Sequence, residues 1–100
     1  IVKYEDLIKK KREQFIKILN YLNELQNFEI DFTQLDKSIE ENSFEKLKKK
    51  EELHGFDQAT GNGPFFRKGI IGDWKEKLNS NQVSIIEKSF FKEMRQLEYL

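Results

Sequence analysis

The chain has 100 residues, 37% of them hydrophobic and 36% charged, which is enough for one small globular domain. Its 18 basic residues balance its 18 acidic residues, so the charge does not favour nucleic-acid binding, which usually needs a clearly basic domain. The absence of cysteine excludes disulfides and thiolate metal sites, and the single histidine, His54, excludes a multi-histidine metal site within the chain.

The chain begins at Ile1, and its one methionine is Met94. We therefore expect that the natural N-terminus is missing or that the chain is a piece of a longer protein. No apolar run approaches the roughly 18 residues that span a bilayer, so we expect a soluble protein with no membrane segment.

The first four residues, Ile1-Val2-Lys3-Tyr4, are mostly β-branched or aromatic and are followed by two acids. This pattern predicts a strand that leads into a helix capped near Glu5 or Asp6. No second strand is indicated elsewhere, and a lone strand cannot satisfy its own backbone N–H and C=O groups. We therefore expect the neighbouring strands to lie upstream of this chain.

A first helix is predicted from Asp6 to about Leu25, because its apolar residues recur at spacings of three and four. These residues are Leu7, Ile8, Phe15, Ile18, Leu19, Leu22 and Leu25. The run from Lys9 to Arg12 can be interpreted as a basic patch or as a solvated helix face. The overall neutrality of the chain favours the solvated face.

Two further helices are predicted from their capping residues. Asp31 or Thr33 can cap a second helix that ends at about Glu41. Ser43 can cap a third helix from Phe44 to about Leu53. The lysines near the end of this third helix suit its dipole and need no ligand.

The segment from His54 to Pro64 has three glycines, the one proline and no hydrophobic period, so it is predicted to be a loop. Its histidine follows a lysine-rich helix, which is typical of a solvent-facing cap. We assign His54 no catalytic role.

A candidate anion-binding motif follows this loop: Phe65-Phe66-Arg67-Lys68-Gly69-Ile70-Ile71-Gly72-Asp73-Trp74-Lys75. A guanidinium fork, an ammonium and an unhindered backbone N–H from three successive residues can converge on one phosphate group. An Arg-Lys-Gly triplet alone is more typical of a basic surface turn after a proline. The glycine, acid, tryptophan and lysine that follow it in register favour the anion site.

The end of the chain is predicted to be helical. Gly72-Asp73 can start a short helical turn through Leu78, with Trp74 packing inward. Asn79 or Ser80 then caps a final helix, whose apolar face follows the three- and four-residue spacing. This face is formed by Val83, Ile86, Phe90, Met94 and Leu97.

The string from Arg67 to Lys75, with the aromatic pair before it, resembles the C-terminal signature of the soluble sulfotransferases that use 3′-phosphoadenosine 5′-phosphosulfate (PAPS). The resemblance implies an α/β, P-loop-type three-layer fold, of which residues 1–100 form a mainly helical C-terminal portion of one domain, with one N-terminal strand. It also implies a cytoplasmic enzyme that moves a sulfuryl group from PAPS to a hydroxyl or amine acceptor. The product is adenosine 3′,5′-bisphosphate (PAP).

The resemblance also implies roles for individual residues. The family's triplet grips the 3′-phosphate of the cofactor, which assigns this role to Arg67, Lys68 and Gly69. A Tyr-Glu-Asp-Leu-like stretch ends a central strand in the family, with its tyrosine near the adenine, so Tyr4 is a candidate adenine contact or else a core residue.

Ser43 and Phe44 resemble a further family element, a Ser-Phe step before a lysine-rich helix that helps to hold the adenine. Both residues are therefore candidate adenine contacts. Phe44 is equally compatible with a hydrophobic residue in a first helical turn that packs back on the connector.

The resemblance places the 5′-phosphosulfate loop, its lysine and the catalytic histidine upstream of Ile1. No catalytic residue is therefore expected in this chain, and the missing N-terminal half of the domain is an expected partner, beside a small-molecule or other acceptor. The family's Lys-x3-Thr-Val-x3-Glu dimerisation motif would start at Lys75, but the chain has Asn79, Ser80 and Ser84 at its other positions. Two other classes stay open, a non-catalytic nucleotide- or phosphate-binding module and a structural helical protein.

Overall fold

A computed structural model describes residues 1–58, 61 and 63–100, and these residues form helices and connecting segments. The helices are α1 (Tyr4–Lys9), α2 (Lys11–Gln26), α3 (Phe32–Glu41), α4 (Phe44–His54), α5 (Trp74–Lys77), α6 (Ser80–Ser89) and α7 (Phe91–Gln96). No strand occurs among the described residues. Within that part of the chain, no helix combines the length and the apolar character needed to cross a membrane.

The N-terminal strand prediction is wrong for the described structure. Residues 1–3 lie outside regular structure, and Tyr4 is already the first residue of α1. A strand needs a neighbouring strand to satisfy its backbone, and none of the described residues supplies one. The N-cap of α1 is Lys3, in extended conformation, whereas Glu5 and Asp6 lie within the first turn, where they suit the helix dipole.

The long helix predicted from Asp6 to Leu25 is divided in two. The division falls at Lys10, whose φ of −135° and ψ of 45° are not helical. Helix α2 then contacts α3 through Arg12, whose Nε donates to Asp36 Oδ1 at 2.6 Å. Leu35 of α3 is the one buried hydrophobic residue in the described part of the chain, so the packing centre of this half lies where α3 meets α2.

The structure selects Asp31 over Thr33 as the cap of α3 and confirms Ser43 as the cap of α4. Asp31 Oδ1 accepts a hydrogen bond from the Gln34 backbone N–H at 2.9 Å, and α3 ends at Glu41 as expected. Ser43 Oγ accepts from the Lys46 backbone N–H at 3.4 Å and so begins α4. Helix α4 ends at His54, one residue beyond the prediction. The loop predicted to follow includes residues 59, 60 and 62, which lie outside the described residues.

The C-terminal helix is also divided, at Phe90, which separates α6 from α7. Asn79 caps α6 as predicted, through a capping box in which Asn79 Oδ1 accepts from the Gln82 N–H at 2.9 Å and Gln82 Oε1 accepts from the Asn79 N–H at 3.0 Å. The prediction that Trp74 packs inward is wrong, because this residue is 49% exposed. Its ring instead lies 5.7 Å from Lys75 Nζ.

The two ends of the chain meet. Tyr99 donates a hydrogen bond from its hydroxyl to Glu5 Oε2 at 2.9 Å, and its ring lies 5.3 Å from Lys3 Nζ. The C-terminal segment is thereby tied to the start of α1, which carries Tyr4.

Candidate anion-binding site

Helix α4 holds the segment that carries the anion motif, residues 65–73, which we call the motif segment. The Glu51 carboxylate accepts hydrogen bonds from the backbone N–H groups of Phe65 at 2.6 Å and Phe66 at 2.9 Å. Lys48 Nζ donates to the Arg67 carbonyl at 3.4 Å. Two side chains one turn apart on α4 therefore fix three successive backbone units, those of Phe65, Phe66 and Arg67.

An aromatic cluster supports the same junction. Phe65 and Phe66 of the motif segment meet Phe56, at ring-centroid distances of 4.6 Å and 5.2 Å. Phe66 also meets Phe44 edge to face at 6.1 Å. Such pairs are worth about 0.5–1.5 kcal/mol beyond the area that they bury. The aromatic pair before the triplet is therefore the apolar anchor of the motif segment on α4.

Arg67 and Lys68 converge on one carboxylate. The Arg67 Nη2 donates to Asp73 Oδ2, and Lys68 Nζ donates to Asp73 Oδ1 at 3.0 Å. The Asp73 side chain is only 8% exposed, whereas those of Arg67 and Lys68 are 51% and 40% exposed. The two cations are thus held from the protein side and are open to solvent on the other.

The hydrogen bond from Arg67, followed by that from Lys68, lowers the pKa of the Asp73 carboxyl below its ordinary value, while burial opposes the shift. The carboxylate form is therefore favoured at neutral pH. A second acid, Glu76, lies 3.8 Å from Lys68 Nζ, but its side chain is 77% exposed. The site therefore contains two cations, Arg67 and Lys68, and two carboxylates, of which Asp73 is buried and Glu76 is exposed.

Gly69 has a left-handed backbone, with a φ of 63°. A Cβ at this position would lie 2.5 Å from Phe44 Cδ2 and 2.7 Å from Cε2. The backbone conformation and the ring of Phe44 therefore both require glycine here. The space that a side chain would need is thus filled by the Phe44 ring.

The structure brings four of the six predicted site residues together: Arg67, Lys68 and Gly69 in the motif segment, and Phe44 beneath them. Ser43 precedes Phe44, and its hydroxyl oxygen is engaged as the cap of α4. Tyr4 lies elsewhere, in an apolar hollow of about 460 Å³ between α1, α2 and α3. Asn42 lines the same hollow, so the hollow reaches the residue before Ser43.

Two functional candidates in this site were not predicted from the sequence. Asp73 was recognised only as part of the motif string. It follows Lys68 by five residues and Arg67 by six, and the two glycines between them allow the chain to turn back and bring the carboxylate to the two cations. Glu51 gave no signal, because an acid in a lysine-rich helix is typical of a solvated face.

Comparison with known proteins gives one family. The sulfotransferase domain matches residues 1–98. The chain is 31% identical over 98 residues to sulfotransferase 1C2 of Oryctolagus cuniculus, covering 91% of this chain and 31% of that protein. It is 30% identical over 86 residues to sulfotransferase 1C2 of Homo sapiens, covering 79% of this chain and 27% of that protein.

Sulfotransferase 1B1 of Mus musculus is 28% identical over 96 residues, which cover 91% of this chain and 31% of that protein. The chain thus spans less than a third of the length of the curated relatives that it matches. No solved structure matches it significantly.

Proposed function

Because this chain belongs to the sulfotransferase domain family, we propose that it is part of an enzyme that transfers a sulfuryl group from PAPS to a hydroxyl or amine acceptor. Its own role is to hold the 3′-phosphate and the adenine of the cofactor. PAPS supplies the sulfuryl group, and PAP is the product. The resemblance to soluble sulfotransferases extends the proposal to a cytoplasmic enzyme.

The observation that carries this proposal is the convergence of Arg67 and Lys68 on a single point. A phosphate monoester carries about two negative charges and three acceptor oxygens, so it needs several donors aimed at one place. Asp73 takes one N–H of Arg67 and one of Lys68. A guanidinium has five N–H donors and an ammonium three, so both residues keep donors for a phosphate.

Gly69 completes the phosphate side of the site. Its left-handed backbone is of the kind that turns use to bind phosphate through backbone N–H groups, while the space that a Cβ would fill is taken by the Phe44 ring. A side chain at this position would have to displace the ring of Phe44. The triplet therefore combines a guanidinium fork, an ammonium point charge and a backbone N–H, which are groups that suit a 3′-phosphate.

The adenine side of the proposal rests on Phe44, Ser43 and Tyr4. Phe44 lies under Gly69 and offers an aromatic ring within reach of a nucleotide held by the triplet. Ser43 Oγ accepts a bond from Lys46, which leaves its hydroxyl hydrogen to donate to an adenine nitrogen. Tyr4 is 47% exposed at the rim of the hollow that also includes Asn42, which gives it an open ring face.

The sulfotransferase domain implies a P-loop-type fold, and we propose its α/β three-layer form, with residues 1–100 as the C-terminal portion of one domain. The described helices expose many large apolar side chains, including Leu22, Leu25 and Ile85. A central sheet in the rest of such a domain would bury these faces. The transfer step needs cations at the bridging oxygen and a base near the acceptor, and we assign neither to this chain.

The proposal is tested by titrating PAP into the chain while following backbone amide NMR shifts, with adenosine 5′-monophosphate (AMP) as the ligand that lacks a 3′-phosphate. We expect PAP-specific shifts centred on Arg67, Lys68 and Gly69. Arg67→Ala should abolish the preference for PAP, whereas Lys49→Ala, a change of an exposed lysine on α4, should leave it intact.

Two results would count against the proposal. Equal loss of PAP binding in Arg67→Ala and Lys49→Ala would indicate attraction by nonspecific charge. A well-dispersed spectrum with no response to PAP would contradict a 3′-phosphate site formed by these residues and would favour a structural helical protein.

A further inference from the structure

We propose that Asp73 is a positioning residue for the cofactor's 3′-phosphate, which holds Arg67 and Lys68 in the orientation that receives it. This inference rests on the function proposed above. The alternative is that Asp73 is a counter-ion of the two cations, which the phosphate would have to displace. The two roles are opposite, because a counter-ion competes with the phosphate and a positioning residue assists its binding.

The first argument is that the two oxygens of the Asp73 carboxylate bind different cations. Oδ2 accepts from Arg67 and Oδ1 accepts from Lys68 at 3.0 Å, so each oxygen holds one side chain. Neighbouring cations repel each other and would otherwise point apart. The carboxylate between them reduces this repulsion and keeps their charged ends close together.

The second argument is burial. The Asp73 side chain is 8% exposed, while half of Arg67 and two fifths of Lys68 are exposed. A phosphate that approaches from solvent therefore meets the free N–H groups of the cations before it meets the carboxylate. Asp73 is thus a buried anion behind two exposed cations, and the one exposed acid beside them is Glu76, 3.8 Å from Lys68 Nζ.

The third argument is that Asp73 is itself fixed. Its carbonyl accepts from the Glu76 backbone N–H at 3.1 Å, and the Gly72 carbonyl accepts from the Lys75 N–H at 3.1 Å. A rigid turn thus carries the carboxylate, and the carboxylate restrains two long side chains. Restraint before binding lowers the entropy cost of ordering those side chains when the ligand arrives.

The two roles predict opposite changes in PAP affinity when Asp73 is substituted. A displaced counter-ion competes with phosphate, so its removal would strengthen PAP binding. A positioning carboxylate preorganises the cations, so its removal weakens PAP binding. Asp73→Asn separates them, because asparagine keeps the size of the side chain but loses its charge and turns an amide toward one of the cations.

The matched control is Glu76→Gln. It removes one negative charge 3.8 Å from the same Lys68 Nζ, but from a side chain that is 77% exposed. Both variants therefore raise the net charge of the site equally. Only Asp73→Asn removes the buried link between the two cations, so a difference between the variants reports on positioning and not on net charge.

The experiment measures the affinities of the full chain for PAP and AMP by calorimetry in the wild type, Arg67→Ala, Asp73→Asn and Glu76→Gln. We expect Asp73→Asn to bind PAP about tenfold more weakly or worse, since it disorders two charge-assisted ligands. AMP affinity should change little. Glu76→Gln should change PAP affinity by less than about threefold, since exposed pairs contribute little.

A measurement on the wild type keeps the test decisive if Asp73→Asn fails to fold. The carboxyl carbon resonance of Asp73 and the guanidinium Nε–Hε resonance of Arg67 are followed while PAP is added. Positioning predicts that the Asp73 resonance stays close to its ligand-free value while the Arg67 resonance shifts. Displacement predicts a large shift at Asp73, and that result would overturn the inference.

The remaining outcomes separate this inference from the proposed function. PAP binding that depends on Arg67 but is unchanged or tighter in Asp73→Asn overturns the inference alone. A wild type that does not distinguish PAP from AMP, or that is unaffected by Arg67→Ala, overturns the proposed function and the inference with it.

Discussion

Phe44, the first residue of α4, lies directly against Gly69 of the motif segment. A Cβ on Gly69 would approach the Phe44 ring to 2.5 Å, and the Gly69 φ of 63° already lies in the left-handed region. The contact joins the candidate adenine side of the site to the candidate phosphate side. Gly69 therefore sets the path of the main chain through its left-handed backbone and also leaves the space that the Phe44 ring occupies.

Gly69→Ala should weaken both folding and PAP binding. A left-handed alanine costs of order 1–3 kcal/mol, and the ring clash adds to this cost. Chemical denaturation and calorimetry with PAP measure the two effects. Gly63→Ala is the control, because no atom lies within 4 Å of a Cβ placed there.

Phe44→Ala should relieve part of the Gly69→Ala effect when the two are combined, because it removes the ring that the new Cβ meets. The double-mutant cycle then shows a coupling between the two positions. Strict additivity would contradict the contact and would leave the backbone conformation as the only cost.

Glu51→Gln should loosen the motif segment. A carboxylate accepts both backbone N–H groups, of Phe65 and Phe66, whereas an amide offers one carbonyl oxygen and an N–H₂ that cannot accept. We expect a loss of about 1 kcal/mol in stability. The amides of Phe65 and Phe66 should exchange with solvent faster, as measured by NMR.

Glu52→Gln is the control for this change, since Glu52 is the next residue of α4 and is exposed. It removes the same charge from the same helix turn. Equal amide exchange rates in the two variants would show that the Glu51 contacts do not restrain the motif segment.

The capping residues show what local sequence can predict. Ser43 was identified as a cap, and Asp31 and Asn79 were each one of two candidates, because a cap bonds a backbone N–H only three residues ahead, within its own turn. The family and the Arg-Lys-Gly triplet were recognised for a similar reason, since the motif is one continuous string. Features of this kind depend on residues that are adjacent in the chain.

Features that depend on distant residues were predicted poorly. The breaks at Lys10 and Phe90 interrupt apolar patterns that continue across them, so periodicity gave no signal. The N-terminal strand required a neighbouring strand that the described residues do not supply. Trp74 lines an apolar hollow with residues of α6 and α7 but stays 49% exposed. The Glu51 contacts join residues 14 and 15 positions apart, and their donors are backbone groups without a sequence signature.

Ser43→Asp should separate the two roles of Ser43. Aspartate caps a helix about as well as serine, so stability should change by less than about 0.5 kcal/mol. Aspartate has no hydroxyl hydrogen to donate at neutral pH and adds a negative charge near an anionic ligand, so binding of both PAP and AMP should weaken. Calorimetry with the two ligands checks this result.

Ser43→Ala is the companion variant. It removes the cap as well as the donor, so it should also destabilise the fold by about 0.5–2 kcal/mol. Unchanged affinity for both nucleotides in Ser43→Asp would remove Ser43 from the adenine site while leaving it as the cap of α4.

The link between Asp73 and the two cations should appear in the pH dependence of folding stability. Hydrogen bonds from Arg67 and then Lys68 lower the pKa of the folded-state carboxyl below its ordinary value of 3.8. The unfolded chain therefore takes up the proton first as the pH falls. The contribution of Asp73 is complete above pH 3.8 and is lost as the pH falls through the lowered folded-state pKa. Urea denaturation of wild type and Asp73→Asn from pH 7 down to acidic pH should show a difference in unfolding free energy that is constant at first and then shrinks.

Asp57→Asn, a change of an exposed acid outside the site, controls for the loss of one carboxyl group. A difference between wild type and Asp73→Asn that grows on acidification would mean that the carboxyl is not stabilised in its ionised form, and that the two cations are held by other contacts.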